Sequence, residues 1–238
     1  MFDHQLAEVY DLVYRRRGKD YRAEAAELAA AIRARRPGAA SLLDVACGTG
    51  EHLAHLAEHF TEAEGLELSR GMLGVARAKL PHLTLHAADM CTFDLGRRFD
   101  AITCMFSSIG YLAERDRMHA AVARMAAHLT PGGVLVIEPW WSPERFIDKY
   151  VSGEAVSDAG VTVTRVSRTR RLDDAHAEME VHFVVADSAR IEHFSETHVL
   201  GLFSRAEHMA AFADAGCDAE FVEEGPSGPG LYVGVRTG

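Results

Sequence analysis

A glycine-containing turn at the end of an apolar run constrains the fold of this 238-residue chain most strongly. The apolar residues Leu42 and Leu43 lead into Asp44, the small residues of Val45-Ala46-Cys47-Gly48-Thr49-Gly50 follow, and a helix-like segment opens at Glu51. This pattern predicts a buried strand that enters a tight turn, because glycine adopts backbone angles that are closed to other residues. Such a turn brings backbone N–H groups and a helix N-terminus close to a ligand. The sequence therefore predicts a cofactor-binding turn.

Strands and helices alternate on both sides of this turn. Residues 4–35 have a helical pattern, with Asp20 as the N-cap of an alanine-rich helix over 21–35 and Pro37-Gly38 after it. We predict strands over 41–47, 63–68, 83–88, 99–106 and 134–139, helices over 51–59, 69–80 and 114–128, and a final helix and two strands over 204–216, 219–223 and 230–235. This alternation is typical of an α/β fold in which helices cover both faces of a parallel sheet. Ligands of such sheets bind at the carboxyl ends of the strands, near the point where the strand order reverses.

The pattern changes after Trp141. Residues 161–171, 177–186 and 191–203 alternate with a period of two, which predicts three antiparallel strands without intervening helices. We therefore predict a core formed by residues 1–145 and 203–238 and an inserted antiparallel sheet over 146–202. Two roles are open for the insertion, a cover over the ligand site and a dimer contact.

The composition disfavours several classes of partner. The net charge of −10 disfavours nucleic acid, because phosphate binding needs clustered Lys and Arg. No apolar run in the sequence reaches the length of a membrane span, and residues 1–5 lack the basic and apolar regions of a signal peptide. The four cysteines have no C-x-x-C spacing and the 13 histidines have no zincin spacing. We therefore expect a reduced, cytoplasmic protein that binds no metal.

The residues of the turn favour one class of nucleotide cofactor. A dinucleotide site wants the pattern G-x-G-x-x-G, and here the third glycine is absent after Gly48 and Gly50. The acids Asp44 and Glu51 on either side of the turn disfavour a pyrophosphate and suit a ligand with a cationic centre and an ammonium group. A further acid, Glu67, lies near the end of the next predicted strand, 17 residues beyond Gly50.

These residues resemble the class I S-adenosylmethionine-dependent methyltransferases, whose D-x-x-x-G-x-G motif matches residues 44–50. The resemblance implies a seven-stranded, Rossmann-like sheet and S-adenosylmethionine as the cofactor. It implies that Glu67 binds the ribose, that Asp89 and Met90 lie at the adenine edge, and that Met105 lies beside the methionyl part. Two alternatives stay open: Asp89 as the cap of a turn, and Met105 as a core residue. The residues that this resemblance assigns to cofactor binding are Asp44, Ala46, Gly48, Gly50, Glu67, Leu68, Asp89, Met90 and Met105, with Leu68 and Met90 on either side of the purine.

Three other segments are candidates for binding the methyl acceptor. Residues 10–21 place tyrosines between four cations, which suits an anionic, ring-bearing ligand, although such charge runs are more often a solvated face. Residues 105–111 follow the fourth predicted strand and offer two hydroxyls, a glycine and a tyrosine, and a helix-capping turn is the alternative. Residues 138–141 place two adjacent tryptophans beside an acid at the end of the fifth predicted strand.

Together these segments resemble a narrower group, the N-methyltransferases of nucleotide-linked amino sugars in antibiotic biosynthesis. The resemblance extends over nearly the whole chain and implies N-methylation, and N,N-dimethylation in particular, of a TDP-linked amino deoxysugar. An O- or N-methyltransferase for another small molecule is the alternative. The most specific matching segments are residues 17–21, 42–50, 105–110, 138–141, 165–167, 179–182 and Gly225-Pro226-Ser227-Gly228.

The same resemblance implies roles for single residues. It implies that Tyr21 contacts the cofactor and that Tyr14 and Arg17 lie near the substrate. The inserted antiparallel sheet, by itself, favours a homodimer. The group has an arginine in the final glycine-rich turn, where this chain has Pro229, so we expect Arg168 or Lys149 to replace that cation. The full set expected to bind substrate is Tyr14, Arg17, Ser107, Ser108, Tyr111, Trp140, Trp141, Lys149, Arg165, Ser167 and Arg168, and the residues expected to orient the amine or accept its proton are Tyr14, Tyr111 and Glu138.

Overall fold

The computed structural model describes residues 4–223, 225 and 228–238, which form two sheets and six α-helices. The helices are α1 (His4–Arg16), α2 (Tyr21–Arg35), α3 (Glu51–Leu56), α4 (Arg70–Lys79), α5 (Arg115–Ala127) and α6 (Arg205–Asp214). The strands are β1 (Ser41–Val45), β2 (Glu62–Glu67), β3 (Thr84–Ala87), β4 (Phe99–Cys104), β5 (Leu129–Ile137), β6 (Val151–Asp158), β7 (Val161–Arg171), β8 (His176–Ala186), β9 (Ile191–Gly201), β10 (Cys217–Val222) and β11 (Leu231–Arg236). A 3₁₀ turn, Ser108–Leu112, follows β4.

The larger sheet has seven strands in the order β10-β11-β5-β4-β1-β2-β3. Strand β1 pairs in parallel with both β2 and β4, so the strand order reverses at β1. Strand β11 runs antiparallel between β5 and β10. The predicted seven-stranded α/β sheet with an inserted antiparallel sheet is confirmed. The reversal directs a ligand to the carboxyl end of β1, where the glycine turn begins.

The smaller sheet has four antiparallel strands in the order β6-β7-β8-β9. Three of them were predicted, and the prediction missed β6. The sequence of β6, VSGEAVSD, is largely polar and has two apolar β-branched residues, Val151 and Val156, at positions of opposite parity. It therefore lacks the apolar alternation of a half-buried strand, and its strand structure comes from its backbone pairing with β7.

The segment before the fifth strand also differs from the prediction. A helix was expected over 114–128 and a strand over 134–139, with Pro131, Gly132 and Gly133 in neither. Instead β5 begins at Leu129, includes all three, and ends at Ile137. The pairing with β4 shifts register between Phe99 and Ala101, and this irregularity accommodates the residues that a regular parallel strand disfavours.

Two helices, α2 and α4, begin within one residue of the predicted starts. The side chain of Asp20 accepts a hydrogen bond from Ala23 N at 2.9 Å, and that of Ser69 accepts one from Met72 N at 3.3 Å. The helix predicted over 51–59 is shorter, because α3 ends at Leu56.

Apolar contacts join the smaller sheet to the larger one. The inner face of the four-stranded sheet presents Val163, Val181 and Phe183, which are buried together with Val13 of α1 and Met72 of α4. The four-stranded sheet is thereby fixed opposite the carboxyl ends of the parallel strands. Among the helices of the described residues, none is both long and apolar enough to cross a membrane.

Candidate active site

A cleft of about 570 Å³ separates the carboxyl ends of the parallel strands from the inner face of the four-stranded sheet. Its size is within the range of small-molecule sites, which are clefts of about 300–1,000 Å³. One side is formed by the glycine turn and by the ends of β2, β3 and β4. The other side is formed by β7, β8 and β9, and α1 contributes two tyrosines between them.

The glycine turn has the left-handed backbone that its sequence predicts. Ala46, Gly48 and Gly50 all have positive φ, at 57°, 57° and 81°. A Cβ on Gly50 would lie 2.8 Å from Leu80 Cδ1, the end of a flexible side chain, so the positive φ is the main reason for glycine here. Ala46 and Gly48 line the cleft, whereas Gly50 lies behind it and shapes the turn.

Glu67 joins the turn to the end of β2. Its Oε2 accepts a hydrogen bond from Gly48 N at 2.9 Å, and its Oε1 accepts one from Ser69 N at 2.6 Å. Burial raises the pKa of this carboxyl, and the two backbone N–H groups oppose the rise. A carboxylate has about four lone-pair sites, so Glu67 retains acceptor capacity toward the cleft that it lines.

Asp44 is a second carboxylate on the same side of the cleft. It is 2% exposed, and its Oδ1 accepts a hydrogen bond from Thr103 Oγ1 at 2.8 Å. Burial raises the pKa of Asp44 to about 6, with the charge of His52 and the hydrogen bond from Thr103 acting in the opposite direction. A buried carboxylate of this kind is stabilised by a cationic ligand, because the ligand supplies the opposite charge that the protein does not.

The ends of β3 and β4 supply the rest of this side. The side chain of Leu68 is exposed into the cleft at 52%, and Met90 and Met105 also line it. Asp89 accepts a hydrogen bond from Cys91 N at 2.8 Å, so it caps a turn and also lies on the cleft wall. Met105 likewise belongs to the buried core and to the wall at once.

Aromatic rings close one end of the cleft. The ring of Tyr14 lies 4.6 Å from that of Tyr10 and 4.8 Å from that of Phe106. Tyr21 packs edge-on against His52, with ring centroids 4.8 Å apart, and its buried hydroxyl has no hydrogen-bond partner among the described residues. An unpartnered buried hydroxyl is costly, so a polar ligand atom in this part of the cleft would stabilise Tyr21.

The inner face of the four-stranded sheet supplies polar groups to the opposite side. Arg165 is 6% exposed; its Nη1 donates to Ser167 Oγ at 2.9 Å, and its Nε has no hydrogen-bond partner in the described chain. On β9, His198 Nε2 lies 2.9 Å from Glu196 Oε2. The ring of Tyr111 stands edge-on to that of His198 at 5.3 Å, and burial raises the pKa of the Tyr111 phenol.

Ser107 and Ser108 form a strained loop on the cleft wall, between the two sides. Phe106 and Ser107 both have positive φ, a conformation that costs non-glycine residues about 1–3 kcal/mol each. Phe106 N donates to Glu138 Oε2 at 2.6 Å, and Ser107 Oγ donates to the carbonyl oxygen of Pro139 at 2.8 Å. These bonds hold the loop that places Ser108 and Tyr111 on the wall.

Five residues expected to bind substrate or act on it do not line the cleft. Glu138 is fully buried behind the loop that it holds, and Arg17 forms an ion pair with Glu154 at 3.0 Å. Arg168 has the opposite parity to Arg165, so it lies on the outer face of the sheet and pairs with Glu180 at 2.8 Å. The remaining two are Lys149, in the exposed loop before β6, and Ser167, which contacts Arg165 instead. Within the final glycine-rich segment, Pro226 and Ser227 lie outside the described residues.

Several residues that line the cleft were not assigned a role of their own by the sequence analysis. Tyr10, Met179, Glu196 and His198 all line the cleft. Glu196 and His198 are two residues apart in a strand that was correctly predicted, so the sequence could have indicated that their side chains share one face. It did not say which face of the strand is the inner one.

Pro229 lies on the cleft wall, and a cation contacts its turn. Arg145 donates to the carbonyl oxygens of Gly228 at 3.2 Å and Pro229 at 3.4 Å, and its guanidinium lies 5.4 Å from the Trp141 ring centroid. Trp140 and Trp141 both line the cleft. Among the described residues, no group of three or more His, Cys, Asp or Glu side chains is arranged to hold a metal ion.

Comparison with known proteins agrees with this geometry. A family model described as a methyltransferase domain matches residues 42–133. The chain is 53% identical to the dTDP-3-amino-3,4,6-trideoxy-alpha-D-glucopyranose N,N-dimethyltransferase of Streptomyces venezuelae, over 99% of both chains. It is 42% identical to the dTDP-4-amino-2,3,4,6-tetradeoxy-D-glucose N,N-dimethyltransferase of Saccharopolyspora spinosa, over 98% of this chain and 93% of that one.

A solved structure with its cofactor also matches. It is the S-adenosylmethionine-bound amino pentose methyltransferase CalS10 of Micromonospora echinaspora, involved in calicheamicin biosynthesis. The two chains are 52% identical, the match covers 100% of this chain and 98% of that one, and the TM-score is 0.89.

Proposed function

Because this chain belongs to the family of S-adenosylmethionine-dependent N,N-dimethyltransferases of TDP-linked amino deoxysugars, we propose that it methylates the amino group of such a sugar in antibiotic biosynthesis. The observation that supports this most is the arrangement of charge in one continuous cleft. Buried carboxylates lie on the side of the parallel strands, and a buried arginine with an unpartnered Nε lies on the facing sheet. This arrangement suits a cationic cofactor on one side and an anionic acceptor on the other.

The cofactor occupies the side of the parallel strands. Glu67 accepts from the ribose hydroxyls, Leu68 and Met90 pack on either side of the adenine, and Asp89 lies at its edge. Asp44 and the turn amides face the methionyl part, and the hydroxyl of Tyr21 finds a polar partner there. S-adenosylmethionine supplies an electrophilic methyl group on a sulfonium sulfur. The neutral thioether that remains after the transfer is a good leaving group.

The acceptor occupies the side of the four-stranded sheet. The guanidinium of Arg165 presents its N–H groups in a plane that matches a diphosphate oxygen pair. Trp140 and Trp141 wall the sugar–nucleotide part of the cleft, and Tyr14 lies near the sugar. Arg145, held at the final turn, is the cation that we assign in place of the family's arginine.

Catalysis by these residues rests mainly on alignment. Holding a nucleophile and an electrophile in line contributes about 7–11 kcal/mol in favourable cases. A phenol is neutral at physiological pH, and burial raises the pKa of Tyr111 further, so we assign it to orienting the amine and not to acting as a base. Glu138 contributes by holding the loop of Phe106 and Ser107.

We further propose that residues 146–202 act as a cover over the acceptor, that the chain forms a homodimer, and that the reaction takes place in the cytoplasm. The cover is supported by the cleft-facing residues of β7, β8 and β9. The cytoplasm is supported by the cysteines Cys47, Cys91, Cys104 and Cys217, which are all free thiols.

A mass-spectrometric assay tests the proposed function. Purified protein is incubated with S-adenosylmethionine and each of a panel of TDP-linked 3-amino and 4-amino deoxysugars. We expect one member of the panel to gain first one and then two methyl groups. Failure of all panel members to gain a methyl group, in a sample that binds S-adenosylmethionine, would refute the proposal.

A further inference from the structure

We propose that Glu196 and His198, side by side on β9, bind the amino group of the sugar and receive the proton that it loses. This inference rests on the proposed function, because it assigns the residues that face the reacting nitrogen. Both residues line the cleft. They lie on the four-stranded sheet, away from the carboxylates that we assign to the cofactor.

The position of the pair follows from the register of the smaller sheet. Glu196 is opposite Val181 and His198 is opposite Met179, so both point to the same inner face as these apolar residues. His198 Nε2 lies 2.9 Å from Glu196 Oε2, and the His198 ring contacts Tyr111 edge-on at 5.3 Å. Tyr111 belongs to the turn after β4, beside the predicted methionyl end of the cofactor. The pair therefore faces the place where the methyl group is transferred.

The other titratable groups of the cleft are engaged elsewhere. Glu51 forms ion pairs with Arg15 and Lys79, which hold its pKa down at about 2. His52 Nε2 contacts Glu24 Oε2 at 2.6 Å on the far side of the cleft. The remaining carboxylates, Asp44, Glu67 and Asp89, lie at the ends of the parallel strands, on the side assigned to the cofactor.

Charge on the inner face is also divided in a way that suits an amino sugar nucleotide. Arg165 on β7 and Glu196 on β9 are separated by β8, which corresponds to about 10 Å across the sheet. A cationic amine is repelled by the guanidinium end and attracted by the carboxylate end, whereas a diphosphate has the opposite preference. The face therefore orients a ligand that has a phosphate at one end and an amine at the other.

The reaction releases one proton in each of its two methyl transfers, and a group beside the nitrogen can receive it. The amine lone pair forms the N–C bond while the S–C bond breaks and its electron pair stays on sulfur. The product is a protonated secondary amine, which must give up its N–H proton before its lone pair is available for a second transfer. His198 presents an imidazole nitrogen and Glu196 a carboxylate oxygen, and both are acceptors for an ammonium proton.

Binding measurements with two ligands test the assignment. Affinity is measured by calorimetry, with S-adenosylhomocysteine present, for the TDP-amino sugar that the protein methylates and for its analogue with a hydroxyl in place of the amine. We expect Glu196→Gln to weaken binding of the amino sugar by about 10- to 100-fold, the range for a hydrogen bond to a charged group, and to leave the hydroxyl analogue unchanged. Glu196→Asp restores part of the loss. Glu192→Gln is the matched control, since Glu192 has the same parity on β9, pairs with Arg190 and lies outside the cleft.

A pH profile gives an independent measurement. The titratable group that contacts the pair from another element is Tyr111 of the 3₁₀ turn, whose ring meets that of His198. Tyr14 from α1, Arg165 from β7 and Glu196 itself all act on the Tyr111 phenol electrostatically. We expect the acid limb of kcat/KM to move in both Glu196→Gln and His198→Gln and to stay in place in Glu192→Gln. Equal weakening of both ligands by Glu196→Gln, or unchanged amine binding and an unchanged profile, would overturn the assignment. A wild-type protein that binds no TDP-amino sugar would instead refute the proposed function itself.

Discussion

The two sheets of this molecule build one cleft by different means. In the seven-stranded sheet, the cleft residues lie at strand ends and in the turns that follow, so they are nearly contiguous in sequence. In the four-stranded sheet they lie along the strands, at alternate positions of β7, β8 and β9. A strand-end site is fixed by local turn geometry, whereas a sheet-face site depends on which face packs against the rest of the protein. The proposed cofactor side is accordingly specified by local sequence, and the proposed acceptor side by tertiary contacts.

The largest effect that separates the two sides is expected at Glu67. Replacing Glu67 by Ala removes the acceptor for Gly48 N and Ser69 N together with the proposed ribose contacts. We expect S-adenosylhomocysteine binding to weaken by at least about 100-fold, because two hydrogen bonds to a charged group are lost. Calorimetry measures this directly, and Glu64→Ala on the same strand, outside the cleft, is the control. A change smaller than that of the control would contradict the role of Glu67.

Replacing Asp44 by Asn is expected to raise the stability of the ligand-free protein and to weaken cofactor binding. The unfolded pKa of Asp44 is near 3.8 and its folded pKa is about 6, so the folded state binds more protons between these pH values. The free energy of unfolding therefore falls as pH rises through this window, by about 3 kcal/mol in total. We expect Asp44→Asn to stabilise the ligand-free protein by up to about this amount at pH 8 and by little at pH 4.

Urea denaturation at a series of pH values measures the stability effect of Asp44→Asn. The same variant should bind S-adenosylhomocysteine more weakly than the wild type at pH 8, since the buried negative charge is absent. Destabilisation of the ligand-free variant at pH 8 would show that the charge is compensated within the protein.

Arg145 tests whether the acceptor side extends to the final turn. Its guanidinium is exposed and held by the carbonyl oxygens of Gly228 and Pro229. We expect Arg145→Met to weaken TDP binding by about 3- to 10-fold, a modest loss because the charge is solvated. Unchanged TDP affinity, measured by calorimetry, would confine the acceptor site to the sheet face.

The smallest effect is expected at Arg168, which is three residues from Arg165 on β7 and therefore on the opposite face of the sheet. Its side chain lies on the outer face and pairs with Glu180, which is also exposed. We expect Arg168→Met to leave both TDP affinity and cofactor affinity unchanged, because exposed ion pairs contribute about 0–1 kcal/mol. A loss of TDP affinity would place the outer face in contact with substrate and would break the distinction between the two faces.

For the same reason, the sequence predicted the cleft residues of the seven-stranded sheet better than those of the four-stranded sheet. The turn over residues 44–50 and the acid Glu67 are local signals, and the structure places them on one edge of the sheet. By contrast, Glu138 follows a strand just as Glu67 ends one, yet it is buried behind a loop because Phe106 N donates to it. That contact joins residues 32 positions apart, and no local pattern indicates it.

Parity explains the remaining differences on the acceptor side. Arg165, Ser167 and Arg168 were expected to act together, but a strand places Arg168 on the face opposite to the other two. Glu196 and His198 were overlooked although their strand was predicted, because the choice of inner face depends on the packing of β8 and β9 against α1 and α4.

The central claim is that each sheet supplies one half of the site. The most direct test measures the affinity of two variants for each of two ligands. Calorimetry on Glu67→Ala and Arg165→Met measures affinity for S-adenosylhomocysteine and for TDP. We predict that Glu67→Ala weakens only S-adenosylhomocysteine and that Arg165→Met weakens only TDP, by about 10- to 100-fold for the arginine. If Arg165→Met weakened S-adenosylhomocysteine and left TDP unchanged, the assignment of the four-stranded sheet to the acceptor would be wrong.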